Sequence, residues 1–138
     1  MVGKTKGLAE LTGKYIGKSF EEINCLEMAH NFYKEIGGDF PDKFKNYNLY
    51  NYIEYWELDR ENAVETLNEL WESLPGEDVS VDDIKQFDFL MMQDIQTENI
   101  YIAILIQNNM VMVSSLKEGV RMSFIGERHK VLKARRIL

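Results

Sequence analysis

The last third of the chain limits the fold most. Five apolar runs follow one another there: Phe87 to Met92, Ile100 to Gln107, Met110 to Ser114, Val120 to Ile125 and Val131 to Ile137. Each has strand length and is rich in residues that suit a pleated surface. Gln107-Asn108-Asn109 reads as a tight hairpin between two of the runs, and Lys117-Glu118-Gly119 links the next pair. The pattern predicts an antiparallel meander.

The first half follows a different period. Cys25, Ala29, Phe32, Tyr33 and Ile36 recur at helical spacing, and Gly37-Gly38 stops the run. Asn24 is placed to cap this helix, with Ser19 and Glu22 as a rival start one turn earlier. Pro41-Asp42 then turns the chain. A second helix is capped by Asp59, carries Ala63, Val64, Leu67, Leu70, Trp71 and Leu74 as its apolar stripe, and ends at Pro75-Gly76. Helices first and strands second predict an α+β domain. Residues 1–12 read as a flexible arm and 13–138 as a single domain with a helical insertion around 47–75. One domain suits 138 residues.

Charge narrows the function classes. The formal net charge of -7 opposes nucleic-acid binding, which needs a dense basic face. The charge is unevenly spread. Glu54 to Glu98 is almost wholly acidic, whereas Lys117, Arg121, Arg128, Lys130, Lys133, Arg135 and Arg136 crowd the C-terminus. Two readings follow: solvated faces that attract each other, or a polarised docking surface. Gly3-Lys4-Thr5 lacks the strand and glycine-rich lead of a phosphate-binding loop. No apolar run is long enough for a signal peptide or a membrane span. Cys25 is the sole cysteine, so no internal disulfide forms, and a lone thiol suits a reducing compartment or a catalytic site.

Two blocks, in order, resemble the NlpC family of papain-like cell-wall cysteine peptidases, and within it the branch carried by tailed bacteriophages and prophages. The first block is Tyr15-Ile16-Gly17, then Asn24-Cys25 opening a helix that runs through Tyr33-Lys34-Glu35 to Gly37, then Phe40-Pro41-Asp42. Asn24 stands where the family usually has Asp. The second block begins at Asp88-Phe89-Leu90-Met91-Met92, similar to the family's Gly-Asp-Val-Leu-Leu-Met strand with Phe87 in place of Gly. Tyr101-Ile102-Ala103-Ile104-Leu105-Ile106 is similar to its His-Val-Gly-Ile-Tyr-Leu strand. Asn109-Met110-Val111-Met112-Val113-Ser114 is similar to Gly-x-Met-Leu-His-Ser, and Gly119-Val120-Arg121-Met122 and Ala134-Arg135-Arg136 to the closing strands. The resemblance implies a papain-like NlpC fold in which an N-terminal helix carrying Cys25 packs on a C-terminal antiparallel sheet.

The departures fall on the chemistry. In active members a cysteine at a helix N-terminus is paired with a strand histidine, which a third polar group orients. Here the resemblance puts Tyr101 at the general-base position and Val113 at the orienting position, with Cys25 left as a vestigial nucleophile and both partners expected beside it. A tyrosine is mostly protonated at neutral pH, and valine orients nothing. Of the two histidines, His30 follows Cys25 by five residues, about 140° around the helix, and reads as a surface or half-buried side chain. His129 sits by the last strand among basic residues. Cys25 itself reads as a small buried hydrophobe, and the strand methionines Met91, Met92, Met110, Met112 and Met122 as core filling.

The stretch containing Tyr47, Tyr50, Tyr52, Tyr55 and Trp56 has the composition of an interface. The expectation from these residues is a catalytically inactive structural or assembly protein with no cofactor and no metal. By resemblance it is a phage or prophage tail-tip component, assembled in the host cytoplasm and partnered by other tail or hub proteins. The alternative is an active cysteine hydrolase that cleaves peptidoglycan stem peptides with Cys25 as nucleophile.

Overall fold

The computed structural model describes residues 7–42, 59–115, 118–127 and 129–138. The tyrosine-rich stretch from Tyr47 to Trp56 lies outside these residues, as does most of the segment joining the two main helices. The described residues form three α-helices, α1 (Leu8–Gly13), α2 (Cys25–Glu35) and α3 (Arg60–Glu72), and a short 3-10 helix, Val81–Asp83. They also form six strands: β1 (Glu77–Val79), β2 (Phe89–Asp94), β3 (Ile100–Gln107), β4 (Met110–Ser115), β5 (Gly119–Phe124) and β6 (His129–Arg136). The strands make one antiparallel sheet in the order β1-β6-β2-β3-β4-β5. The α+β expectation holds. Among the described residues no helix is long and apolar enough to cross a membrane.

Local chemistry accounts for the helix starts. The Asn24 side chain accepts from the backbone N–H groups of Leu26 and Glu27, and Glu27 returns a bond to the Asn24 N–H, a complete capping box. Ser19 and Glu22 exchange the same two bonds around a single turn, without a helix following. Asp59 accepts from the Asn62 N–H at the start of α3. Part of the expected N-terminal arm is ordered as α1, which buries Leu11 and Thr12. Asn108 takes the left-handed conformation (φ 50°) in the β3–β4 hairpin, as the Gln107-Asn108-Asn109 turn predicted.

The sheet is strongly curled. In a flat sheet the four steps from β5 to β6 would span roughly 19 Å. Yet only residues 125–128 join these strands, and the His129 Nδ1 lies 3.0 Å from the Phe124 carbonyl oxygen. Curling divides the apolar residues into two clusters. Leu90, Met92, Ala103, Leu105, Val111, Val113 and Ala134 fill the inner face, with no helical residue among them. Phe89, Met91, Ile102, Ile104, Ile106, Met112 and Val120 line the outer face and pack with the helical residues, Cys25, Leu26, Ala29, Phe32, Leu70 and Trp71 included.

β1 was not foreseen from the sequence. Its three residues, Glu77-Asp78-Val79, carry no apolar pattern and are held by β6. Arg135 donates to Asp78 and to the carbonyls of Leu74, Pro75 and Gly76, tying the chain that leaves α3 to the sheet. Arg136 grips buried Asp88 through two nitrogens. Of the two readings of the charge asymmetry, mutual attraction accounts for these two arginines.

The β5 edge is capped by the turn after α1. Gly17 donates to the Val120 carbonyl and Val120 donates to the Lys18 carbonyl, each at 2.9 Å. Gly119 makes this approach possible: its φ is 70°, and an added Cβ would lie 2.1 Å from the Lys18 oxygen. Gly119→Ala is therefore expected to destabilise the fold by about 2 kcal/mol in urea unfolding. Gly13→Ala, where a Cβ meets nothing within 4 Å, serves as the control and should not destabilise the fold.

Candidate functional site

Cys25 occupies the first position of α2, where unpaired backbone N–H groups and the helix dipole favour an anion. Its surroundings oppose this. The side chain is 3% exposed and belongs to the outer-face cluster. Burial pushes its thiol up to about 12; the Cys25 and Leu26 N–H groups pull the other way without overcoming it, and Glu27 adds to the rise. At neutral pH the sulfur is a protonated thiol.

Neither histidine is hydrogen-bonded to that sulfur. His30, expected at or near the surface, is instead 4% exposed. Its Nδ1 lies 3.0 Å from Asn31 Oδ1 and its Nε2 lies 3.2 Å from Asp42 Oδ1. His129 contacts the Phe124 carbonyl oxygen through Nδ1 and meets Tyr101 edge-on, with ring centroids 6.1 Å apart. Glu27, two residues after Cys25, is committed to the capping box.

Tyr101 and Val113 do occupy paired strands, with Ala103 opposite Val113. They are not beside Cys25. Val113 belongs to the inner-face cluster and half-buried Tyr101 packs against the same cluster, so the sheet backbone stands between both residues and α2. This corrects the expectation. Alternation along β3 and β4 turns Ile102, Ile104, Met112 and Ser114 toward the helix instead.

Ser114 is the polar member of that set missed from sequence. It is 2% exposed, and its Oγ has no hydrogen-bond partner among the described residues. Among those residues, no group of three or more histidine, cysteine, aspartate or glutamate side chains is arranged to hold a metal. An open groove of about 420 Å³ is lined by Ile84, Lys85, Gln86, Leu105, Gln107 and Asn108, and includes none of Cys25, Tyr101, Val113 and the two histidines.

The described site residues thus comprise a buried protonated thiol against an apolar sheet face, with each histidine engaged elsewhere. Comparison of the chain with family models and with curated proteins found no match.

Proposed function

We propose that this chain is a non-catalytic assembly or binding module built on an NlpC-like plan. The observation that carries the reading is Cys25: a thiol raised by burial, with both histidines bonded to other groups. General-base assistance is worth about 10²–10⁴-fold, and a buried neutral thiol receives none from these partners. Phe87 lends support to the family plan. The resemblance aligns it with a glycine, and it takes the left-handed conformation (φ 70°) that glycine adopts without strain. Tyr33 and Leu105 hold it there: the Tyr33 hydroxyl donates to its carbonyl, and its N–H donates to the Leu105 carbonyl.

By resemblance, the assembly is the tail of a phage or prophage, near its tip, with hub or other tail proteins as partners. The test has a chemical arm and a biological arm. Native protein at pH 8 should react with iodoacetamide at least about 100-fold more slowly than urea-unfolded protein, since lifting the thiol from 9.0 to about 12 cuts its thiolate fraction at that pH about a thousandfold. Purified protein should release no peptides from peptidoglycan, and Cys25→Ala should leave assembly of tail particles unchanged. Muralytic activity that disappears in Cys25→Ala would overturn the proposal and restore the hydrolase reading. Normal particles formed without the protein would remove the tail assignment.

A further inference from the structure

We propose that the open groove between residues 84–86 and the β3–β4 hairpin binds an aliphatic carboxylate, the C-terminal residue of a partner peptide. The groove includes neither Cys25 nor either histidine, so this role goes beyond the non-catalytic reading and does not rest on it. Its floor is aliphatic. Leu105 is 2% exposed, and half-buried Ile84 packs against the same inner-face cluster. Exposed Lys85, Gln107 and Asn108 stand around that floor. The volume of about 420 Å³ is within the range of small-molecule sites.

The walls are fixed before any ligand arrives. Gln86 Nε2 donates to the Ile106 carbonyl at 2.9 Å, and the Phe87 N–H donates to the Leu105 carbonyl at 2.6 Å. The Leu105 N–H donates to the Asp88 carbonyl at 3.0 Å, and the Lys85 N–H donates to the buried Asp88 carboxylate at 2.7 Å. The first three bonds join the two walls, and the last sets where Lys85 leaves the backbone. A preformed site spares its ligand the ordering cost that a loose loop would impose.

Charge and uncommitted polar groups select the ligand. Among the described residues, Lys85 Nζ and the side chains of Gln107 and Asn108 make no hydrogen bond or ion pair, although each can donate. Both amides are exposed and can present their NH2 groups by rotation, so neither depends on one orientation. Of the described residues that line the groove, Lys85 alone is charged; Asp82 and Asp83 precede Ile84 without lining it. One ammonium with two neutral amides matches a singly charged carboxylate. A phosphate dianion would call for a second cation or a row of backbone N–H groups. The aliphatic floor takes the side chain beside the carboxylate, and the last residue of a peptide offers both groups together.

Titration of the full chain with N-acetylleucine, followed by heteronuclear NMR, tests the proposal. The Lys85, Gln86, Leu105, Gln107 and Asn108 amides should shift together and saturate. The expected dissociation constant is about 2 mM, the usual strength for a ligand of about a dozen heavy atoms. N-acetylleucinamide keeps the shape without the charge and should bind roughly fivefold more weakly. N-acetylglycine lacks the aliphatic side chain and should weaken by a similar factor, roughly fivefold. Lys85→Met keeps the stem without the ammonium; it should lose roughly fivefold for N-acetylleucine and leave N-acetylleucinamide binding unchanged. Asn108→Gly keeps the left-handed turn (φ 50°) and should weaken N-acetylleucine binding about threefold. Absence of saturable shifts, binding of either analogue as tight as that of N-acetylleucine, or a Lys85→Met variant that binds like the wild type would overturn the proposal.

Discussion

Asp88→Ala is expected to lower the unfolding free energy by about 3 kcal/mol, more than removing any exposed carboxylate. Asp88 is 2% exposed at the entrance to β2. Its two oxygens accept from Arg136 Nε at 3.0 Å and Nη2 at 2.8 Å, and Oδ2 also accepts from the Lys85 N–H at 2.7 Å. Alanine leaves the guanidinium fork and the Lys85 N–H without these acceptors at a place where water has poor access. The pair also closes the fold, because Arg136 ends β6 and Asp88 leads into β2. Asp78→Ala provides the contrast. Asp78 likewise binds an arginine, Arg135, and also accepts from the Trp71 Nε1–H, but its side chain is 59% exposed, so its loss should cost about 1–2 kcal/mol, less than that of Asp88. Urea denaturation of the two variants measures both. Equal shifts in the midpoint at unchanged slope would show that burial does not separate the two ion pairs.

Phe89→Ala should cost about 4 kcal/mol, enough to leave little of a typical domain's stability. The Phe89 ring is fully buried, and three separate parts of the chain converge on it. Trp71 of α3 stacks on it at 5.5 Å, Tyr33 of α2 meets it at 6.1 Å, and Phe40 meets it at 6.2 Å. Truncation opens a cavity among rings too stiff to collapse into it, so the cavity cost adds to the lost transfer energy. Phe89→Leu keeps most of the volume and should cost about 1.5 kcal/mol. Phe124→Ala should change stability by less than about 0.5 kcal/mol, since that ring is 67% exposed. A Phe89→Ala loss no larger than that of Phe89→Leu would show that the outer-face core repacks around the gap.

How much of this was legible beforehand depends on the distance over which each feature is decided. The Asn24 cap, the helix spacing after Cys25, the Asp59 start and the Asn108 hairpin are set by residues within a few positions of one another, and the sequence determined them by itself. The order and antiparallel pairing of β2 to β5 followed from short links between strand-length apolar runs.

Tertiary structure decided the rest. β1 exists because Arg135 and Arg136 reach back almost sixty residues, and nothing within Glu77-Asp78-Val79 signals a strand. His30 is buried because Phe40 and Asp42 return to it, although neither lies on its helix. The face of the sheet that meets Cys25 could not be read at all. In β3 both alternating sets are apolar, Tyr101, Ala103 and Leu105 on one side and Ile102, Ile104 and Ile106 on the other. A strand buried on both faces carries no polar alternation, so a correct pairing register still leaves its direction toward the helix undetermined. Only the curl of the sheet and the packing of α2 turned Ile102 and Ser114 outward to the helix and Tyr101 and Val113 inward.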